Sequence, residues 1–369
     1  MRGGPTMTQD DPINIRELCV SPSLMIRVVI NRMNAIRRGI ALVVDEEQRL
    51  IGAVTDGDVR RAILANVDLG APVSELLARK AGSRYARPIM ALVGENRNTY
   101  LNLLKQHNIL YLPLVDKSQR VAGLVTLDEF LPDQALPLQA VVMAGGKGSR
   151  LYPLTKNVPK PMLRVGNRPL LEIIIRQLRE AGIRRVKVTT HHQFEKIAEH
   201  FGDGSGFGVE ISYVEENQPL GTVGGFGLLE PPKDTTLVIN GDILTQVDFR
   251  AMLLYHREHE ADLTVAVRQY DVRVPYGVIE CDGAIVRKVS EKPMLNFFIN
   301  AGIYLLEPLV YRYLSGGEPL DMTDLIQRLL DDGRTVVSFP VREYWLDIGQ
   351  REDYEQAQAQ GQQWNATSR

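Results

Sequence analysis

The first third of the chain repeats itself, and no other feature of the sequence constrains the fold as strongly. Residues 39–58, GIALVVDEEQRLIGAVTDGD, match 108–129, NILYLPLVDKSQRVAGLVTLDE, with landmarks 71 residues apart: Asp45 with Asp116, Arg49 with Arg120, Gly52 with Gly123 and Thr55 with Thr126. Each copy reads as a short apolar strand, an Asp-led polar turn and a second strand after glycine. A helical pattern precedes each copy (24–37 and 97–106), and another follows the first (57–65). A unit this small cannot bury much core alone. Two copies therefore predict a pseudo-symmetric pair over residues 10–131, divided as 10–67 and 72–131.

This pair resembles tandem cystathionine-β-synthase-type (CBS) domains, an α+β family whose cleft binds an adenosine nucleotide. The resemblance implies that a Thr-x-x-Asp at the end of the last strand holds the ribose hydroxyls. Thr55 and Asp58 fit that pattern; the second copy has Thr126 and Glu129, one methylene longer. Read from the residues alone, Asp58 serves equally well as a cap for the helix that follows. Both readings stand at this point: an adenine nucleotide at the CBS pair, or a helix cap.

After Leu131, PDQALPLQ has two prolines and no periodicity, and 132–138 reads as a linker. From Gln139 the pattern changes to alternating strands and helices over 139–355. Apolar runs lie at 139–144, 186–190, 209–214, 236–240, 263–267, 299–306 and 335–340, with helical patterns at 169–181, 193–201, 247–259 and 321–332. That order predicts an α/β domain with a mainly parallel sheet, whose ligand crevice lies at the carboxyl ends of the strands. The remainder, 356–369, reads as a polar terminal helix or tail.

The first strand of this domain runs directly into GGKGSRLYPLTKNVPKPML (145–163). Gly145, Gly146 and Gly148 let backbone N–H groups approach an anion, and Lys147, Arg150 and Lys160 add positive charge. Pro153, Pro159 and Pro161 forbid a regular helix, which places Lys160 on an extended, stiffened segment. The spacing is neither a Walker A loop nor a dinucleotide fingerprint.

These residues resemble the signature G-G-x-G-x-R-L-x-P-L-T-x-x-x-P-K-P of the sugar-phosphate nucleotidylyltransferases. The likeness continues through EENQPLGTVGGF (215–226), INGD (239–242), PYGVIE (275–280), EKP (291–293), INAGIYLL (299–306) and WLDIG (345–349). It implies a Rossmann-like domain with a mainly parallel mixed sheet. The reaction it implies is attack by a sugar 1-phosphate on the α-phosphorus of a nucleoside triphosphate. On this resemblance Gly145, Gly146 and Gly148 cradle the phosphates, Arg150 pairs with the leaving pyrophosphate, and Lys160 faces the α-phosphate and the sugar phosphate. Asp242 and Asp347 hold Mg²⁺; Gln218 and Gly221 read the base; Gly277, Glu291, Lys292 and Asn300 bind the sugar and its phosphate. For Asp242 the bland alternative is a turn residue in Asn-Gly-Asp, and for Asp347 a cap on the helix near Gln350. CBS pairs ahead of such a domain resemble guanylyltransferases acting on mannose-, heptose- or glucosamine-1-phosphate, which implies GTP; UTP or dTTP with a hexose 1-phosphate is the alternative.

A nucleotide-sensing homologue without catalysis would lack Arg150, Lys160, Asp242 or Asp347, and all four are present. A glycosyltransferase would carry Asp-x-Asp where Asn240-Gly241-Asp242 stands. His256 and His259 are not at zinc spacing, and His191-His192 reads as a surface pair. Hydrophobic residues make up 44% and charged residues 24%, which excludes a wholly disordered chain. The formal charge of −2 argues against nucleic acid or an anionic membrane as partner. No run approaches the ~20 apolar residues of a membrane span, and two cysteines, Cys19 and Cys281, suit a reducing cytoplasm. A homo-oligomer is expected.

Overall fold

The fold is taken from a computed structural model, which describes residues 15–36, 38–83, 85–130, 136–146, 148–191, 193–216, 218, 220–314 and 317–361. The linker expected at 132–138 falls largely outside these residues, as do Lys147, His192 and the tail from 362. The chain divides into two compact units, Met1–Gln134 and Ala135–Arg369.

In the first unit, α1 (Ile26–Ile36) precedes the hairpin β1 (Ile40–Val44) and β2 (Leu50–Thr55), and α2 (Asp56–Leu64) follows it. In the second copy, α3 (Arg97–His107) precedes β3 (Tyr111–Val115) and β4 (Val121–Thr126). The likeness reaches individual irregularities. The register slips once in each hairpin, between Val43 and Val44 and between Leu114 and Val115. In each turn the leading Asp accepts a backbone N–H four residues on, Arg49 at 2.8 Å and Arg120 at 2.9 Å. Gln48 and Gln119 both take left-handed φ, 65° and 61°. Each copy also gains a third strand too short for pattern reading, Cys19–Val20 and Ala91–Leu92. The copies join through an antiparallel bridge between Arg49 and Arg120. Leu42 and Leu50 share a small core with Val115 of the other copy, which is how two subcritical units together exclude water.

The second unit is built on a seven-stranded sheet. Its strands are β5 (Gln139–Met143), β6 (Arg185–Thr190), β7 (Glu210–Glu215), β8 (Thr236–Asn240), β10 (Leu263–Arg273), β13 (Met294–Leu306) and β14 (Val336–Pro340), with β9 (Ile243–Thr245), β11 (Val278–Asp282) and β12 (Ile285–Ser290) outside it. The order is β7-β6-β5-β8-β13-β10-β14, parallel except that β13 runs against both its neighbours. Alternate residues of β5 and β8 enter different cores: Ala140, Val142, Leu237 and Ile239 one, Val141 and Val238 the other. Helices α4 (Leu170–Glu180), α5 (Phe194–Phe201) and α6 (Phe249–Glu258) cover the first face, and α7 (Met322–Asp331) the second. Burial on both faces explains why these strands are almost continuously apolar.

Two strands run longer than their apolar cores predict. Past Val267 and before Asn300, β10 and β13 leave the sheet as a two-stranded ribbon, and β11 and β12 form a hairpin between them. The sequence reading stopped at 267 and began again at 299 because polar residues interleave this stretch. Among the described residues no helix is long and apolar enough to cross a membrane.

Candidate functional site

Met143 ends β5 directly beside Asn240, which ends β8, so the glycine loop and the Asn-Gly-Asp turn leave the sheet side by side. The Gly241 N–H donates to the Met143 carbonyl at 2.8 Å, and a Cβ on Gly241 would lie 2.9 Å from that oxygen. Only glycine permits this approach, and it aims Asp242 at the loop. A cavity of about 260 Å³ opens here, lined among others by Gly146, Gly148, Arg150, Lys160, Asp242 and Gly349.

Gly148 takes φ 62°, and a Cβ there would meet Thr155 Cγ2 at 2.8 Å and Lys160 Cβ at 3.1 Å. The Thr155 hydroxyl donates to the Gly148 carbonyl at 2.8 Å, closing the loop on itself. Lys160 is not on an extended segment: it opens a 3₁₀ turn, Lys160–Met162. Pro159 before it is extended, and the fixed φ of Pro161 fits a helical first turn. The turn brings Lys160 Nζ to 2.5 Å from Asp242 Oδ2. The other carboxylate oxygen, Asp242 Oδ1, is buried with no hydrogen-bond partner among the described residues.

Asp347 arrives on β15 (Trp345–Asp347), which pairs antiparallel with β9 and sets Asp347 opposite Ile243. Burial pushes the Asp347 carboxyl up to about 6, and the Asp242 charge adds to the rise against Lys160. Asp347 does not cap the next helix. That helix, α8 (Arg351–Ala359), is capped by Gln350, whose N–H donates to Asp353 at 2.8 Å. Two neighbouring carboxylates, one with an orphaned buried oxygen and one resisting ionisation, make a donor set that a divalent cation fits. Among the described residues no group of three or more His, Cys, Asp or Glu gathers for a metal, here or elsewhere. Two carboxylates suit Mg²⁺, which commonly takes one or two protein carboxylates, phosphate oxygens and water.

Around this centre the other expected residues fall into two groups. Gly145 borders His191 and Glu216: a Cβ on it would stand 3.7 Å from His191 and 3.9 Å from Glu216 Oε1. Gln218 is exposed. Gly221, at φ 77°, packs against the backbone at Leu320, since a Cβ would lie 2.6 Å from its carbonyl oxygen. Gly277 and Glu291 meet on the ribbon, with Glu291 Oε2 3.1 Å from a Cβ built on Gly277. Lys292 follows with a left-handed φ of 44°, a conformation that costs a non-glycine residue of order 1–3 kcal/mol. Asn300 lies at the ribbon's root, where its Oδ1 accepts the Gly302 N–H at 3.0 Å.

Glu216 is the residue the sequence reading missed. It is buried, and burial pushes its carboxyl above the ordinary value although the Leu220 N–H donates to it at 3.3 Å. Gly225 leaves room for it; a Cβ there would come within 2.6 Å of Oε1. The signal was present in the doubled Glu215-Glu216 at a strand end, where alternation turns one carboxylate outward and the next inward.

The Nucleotidyl transferase family model matches residues 139–363, over half of the chain, and spans every residue of this centre. The chain belongs to that family. The CBS domain model matches residues 9–65, the first repeat. A UTP–glucose-1-phosphate uridylyltransferase of Synechocystis sp. is 32% identical over 241 residues, covering 60% of this chain and 62% of that protein. A mannose-1-phosphate guanylyltransferase of Mycobacterium tuberculosis is 36% identical over 227 residues, covering 59% and 62%. The chain thus spans less than two thirds of these curated relatives. A crystallised chain from Bacillus anthracis, described as a glucose-1-phosphate thymidylyltransferase, superposes with TM-score 0.51 at 25% identity, covering 62% of this chain and 99% of its own.

In the CBS unit, Asp58 is engaged on both oxygens. Oδ2 accepts from Thr55 N (2.9 Å), Thr55 Oγ1 (3.0 Å) and Lys80 Nζ (2.7 Å), and Oδ1 accepts from Arg61 at 2.8 Å. Burial pushes its carboxyl up, but Lys80 and these donors outweigh burial and hold it below the ordinary value. The capping role expected for Asp58 is therefore filled. Glu129, despite its extra methylene, makes the same contacts to Thr126, at 2.9 and 3.1 Å, and is exposed.

Proposed function

We propose that this chain transfers a nucleotidyl group from a nucleoside triphosphate to a sugar 1-phosphate and releases pyrophosphate. The observation that carries the reading is the meeting of the glycine loop, Arg150, Lys160 and Asp242 in one cavity at the carboxyl ends of β5 and β8. A sugar phosphate is already ionised at neutral pH, so the protein's work is alignment and charge neutralisation rather than proton abstraction. Backbone N–H groups around Gly145, Gly146 and Gly148 bind phosphate oxygens. Arg150 forks onto the leaving pyrophosphate, and Lys160 faces the α-phosphate and the sugar phosphate. Asp242 and Asp347 would hold Mg²⁺, which supplies charge neutralisation at the phosphates when bound. With Lys160 Nζ already on Asp242, the cation and the carboxylate hold each other in place before substrate arrives.

For the donor we propose GTP. Gln218 and Gly221 flank the base, and the buried Glu216 carboxylate beside Gly145 is the acceptor that guanine's adjacent N1–H and N2–H₂ require; uracil and thymine present a single N–H between two carbonyls. Gly277, Glu291, Lys292 and Asn300 serve the sugar and its phosphate, and a mannose-, glucosamine- or heptose-type 1-phosphate is the acceptor we favour. An adenine nucleotide at the CBS pair would have to compete with Lys80 for Asp58. We place the reaction in the reducing cytoplasm, where two unpaired cysteines are the ordinary state.

The test is pyrophosphate release across GTP, UTP, dTTP, ATP and CTP against several sugar 1-phosphates. Release from no pairing sinks the reading. A preference for UTP that persists unchanged in Glu216→Gln sinks the assignment of the base alone, whereas a fall of tenfold or more in the GTP-to-UTP ratio supports it.

A further inference from the structure

The ribbon that leaves the sheet is amphipathic on its own. Cross-strand partners share a face, and Tyr270 pairs with Phe297 and Val272 with Leu295, so beyond the Arg268–Ile299 pair at the root this face is apolar. The other face is mixed, pairing Gln269 with Phe298, Asp271 with Asn296 and Arg273 with Met294. The outer hairpin repeats the design: Ile279 pairs with Val289 and Cys281 with Val286, while Glu280 pairs with Lys288 on the opposite side. The seven large apolar residues of these two faces, cysteine aside, are 39–66% exposed.

A lone two-stranded ribbon is marginally stable in water, and here its apolar faces are covered by nothing in the described chain. They offer on the order of 600 Å² per copy, at the top of the ~300–600 Å² that the largest patch of a typical monomer reaches. Two such faces meeting would bury about 1,200 Å², the lower bound of a specific interface. The charges select the occupant. From Arg268 to Lys292 the arm carries five cations and four anions, and several neutralise each other within the arm, Arg287 with Asp282 at 2.9 Å and Lys288 with Glu280 at 3.0 Å. An acidic membrane or a nucleic acid calls for net positive charge. A nearly neutral apolar face suits a copy of itself, because an isologous contact sets the same patch against the same patch. The geometry points to the apolar faces of the arm, at Tyr270, Val272, Leu295 and Phe297 and at Ile279 and Val289, as the contact surface between two copies of this chain.

Sedimentation velocity of the full chain from about 1 to 100 μM tests this. The expected result is an assembled species whose mass halves in the double variant Tyr270→Ser/Phe297→Ser, with the dissociation constant raised at least about a hundredfold because each change acts twice. The polar-face double variant Gln269→Ser/Asn296→Ser should keep the assembly. Thermal melts check that both remain folded; should the first not, Val289→Lys on the outer hairpin reads the same surface. A monomer at every concentration overturns the inference, since the arm is then covered by another part of this chain or by another partner. An assembly that survives the apolar-face variants, or dissolves equally in the polar-face one, overturns it too.

Discussion

At the scale of single residues, what decides the site is a charge that costs energy to keep. Asp242 carries one oxygen on Lys160 and one buried oxygen without a hydrogen-bond partner among the described residues, a lone pair whose burial is costly unless a ligand takes it up. Asp242→Asn preserves the size and removes the charge, and should lower turnover by about 10²–10³-fold, the range for losing one preorganised electrostatic contact. Turnover measured at limiting and saturating Mg²⁺ checks it, and near-normal turnover at limiting Mg²⁺ would remove Asp242 from the metal. A second buried titratable group has a different fate. His256 hydrogen-bonds Thr264 at 2.7 Å and Glu307 at 3.0 Å, and burial pushes its imidazole below the usual value, against Glu307. The unfolded imidazole therefore takes a proton near pH 6.5 while the folded one stays neutral. The stability this contributes is fully present above that pH and declines as pH falls toward the folded value, at no more than about 1.4 kcal/mol per pH unit. Chemical denaturation at pH 7.5, 6.5 and 5.5 should show this slope, and His256→Gln should flatten it.

At the scale of elements, the glycine loop works because its backbone cannot be built from other residues. Gly148→Ala imposes a left-handed conformation costing roughly 1–2 kcal/mol and drives a methyl into Thr155 and Lys160. Displacement of Lys160 by about 1 Å is enough to cost ~10²-fold in rate. We expect a lowered melting temperature together with that loss, and a fully active Gly148→Ala would show that the loop rearranges on binding. The same region is clamped from the far end of the chain: α8 reaches back to it, with the Tyr354 hydroxyl donating to the Arg164 carbonyl at 2.8 Å. The glycines, prolines and cations of 145–163 were all legible in sequence. The turn that sets Lys160 against Asp242 was not, because it depends on a contact with a residue 82 positions away. The arm was also hidden: its alternation is read as solvated polarity until the cross-strand register assigns each residue a face.

At the scale of the molecule, the two units divide at 134/135, and each has its own core. A chain beginning at Ala135 should unfold cooperatively and retain pyrophosphate release, since the loop, Asp242 and Asp347 all lie within it. Loss of a cooperative transition in that chain, with the full chain intact, would make the N-terminal repeats part of the catalytic fold. Titrating AMP, ADP and ATP calorimetrically into the full chain, with Asp58→Ala alongside, distinguishes a nucleotide sensor from a pair stabilised by its own caps. Heat evolved by the parent and lost in Asp58→Ala would show that ribose displaces Lys80; no heat at millimolar concentration would leave Asp58 as the cap seen here.

By itself the sequence determined whatever is local or periodic. The 71-residue repeat, the order of strands and helices and the glycine loop follow from hydrophobic spacing and from residues with restricted or permissive backbones. It also carried the identity of the charged groups. Tertiary structure alone decided which of those charges meet. Asp347 reaches Asp242 through the pairing of β15 with β9, Glu216 turns inward at the end of β7, and Asp58 is taken up by Lys80. The physical reason is that burial, which sets the cost of a charge and hence its partner, is a property of packing between distant segments, and no spacing within one segment encodes it.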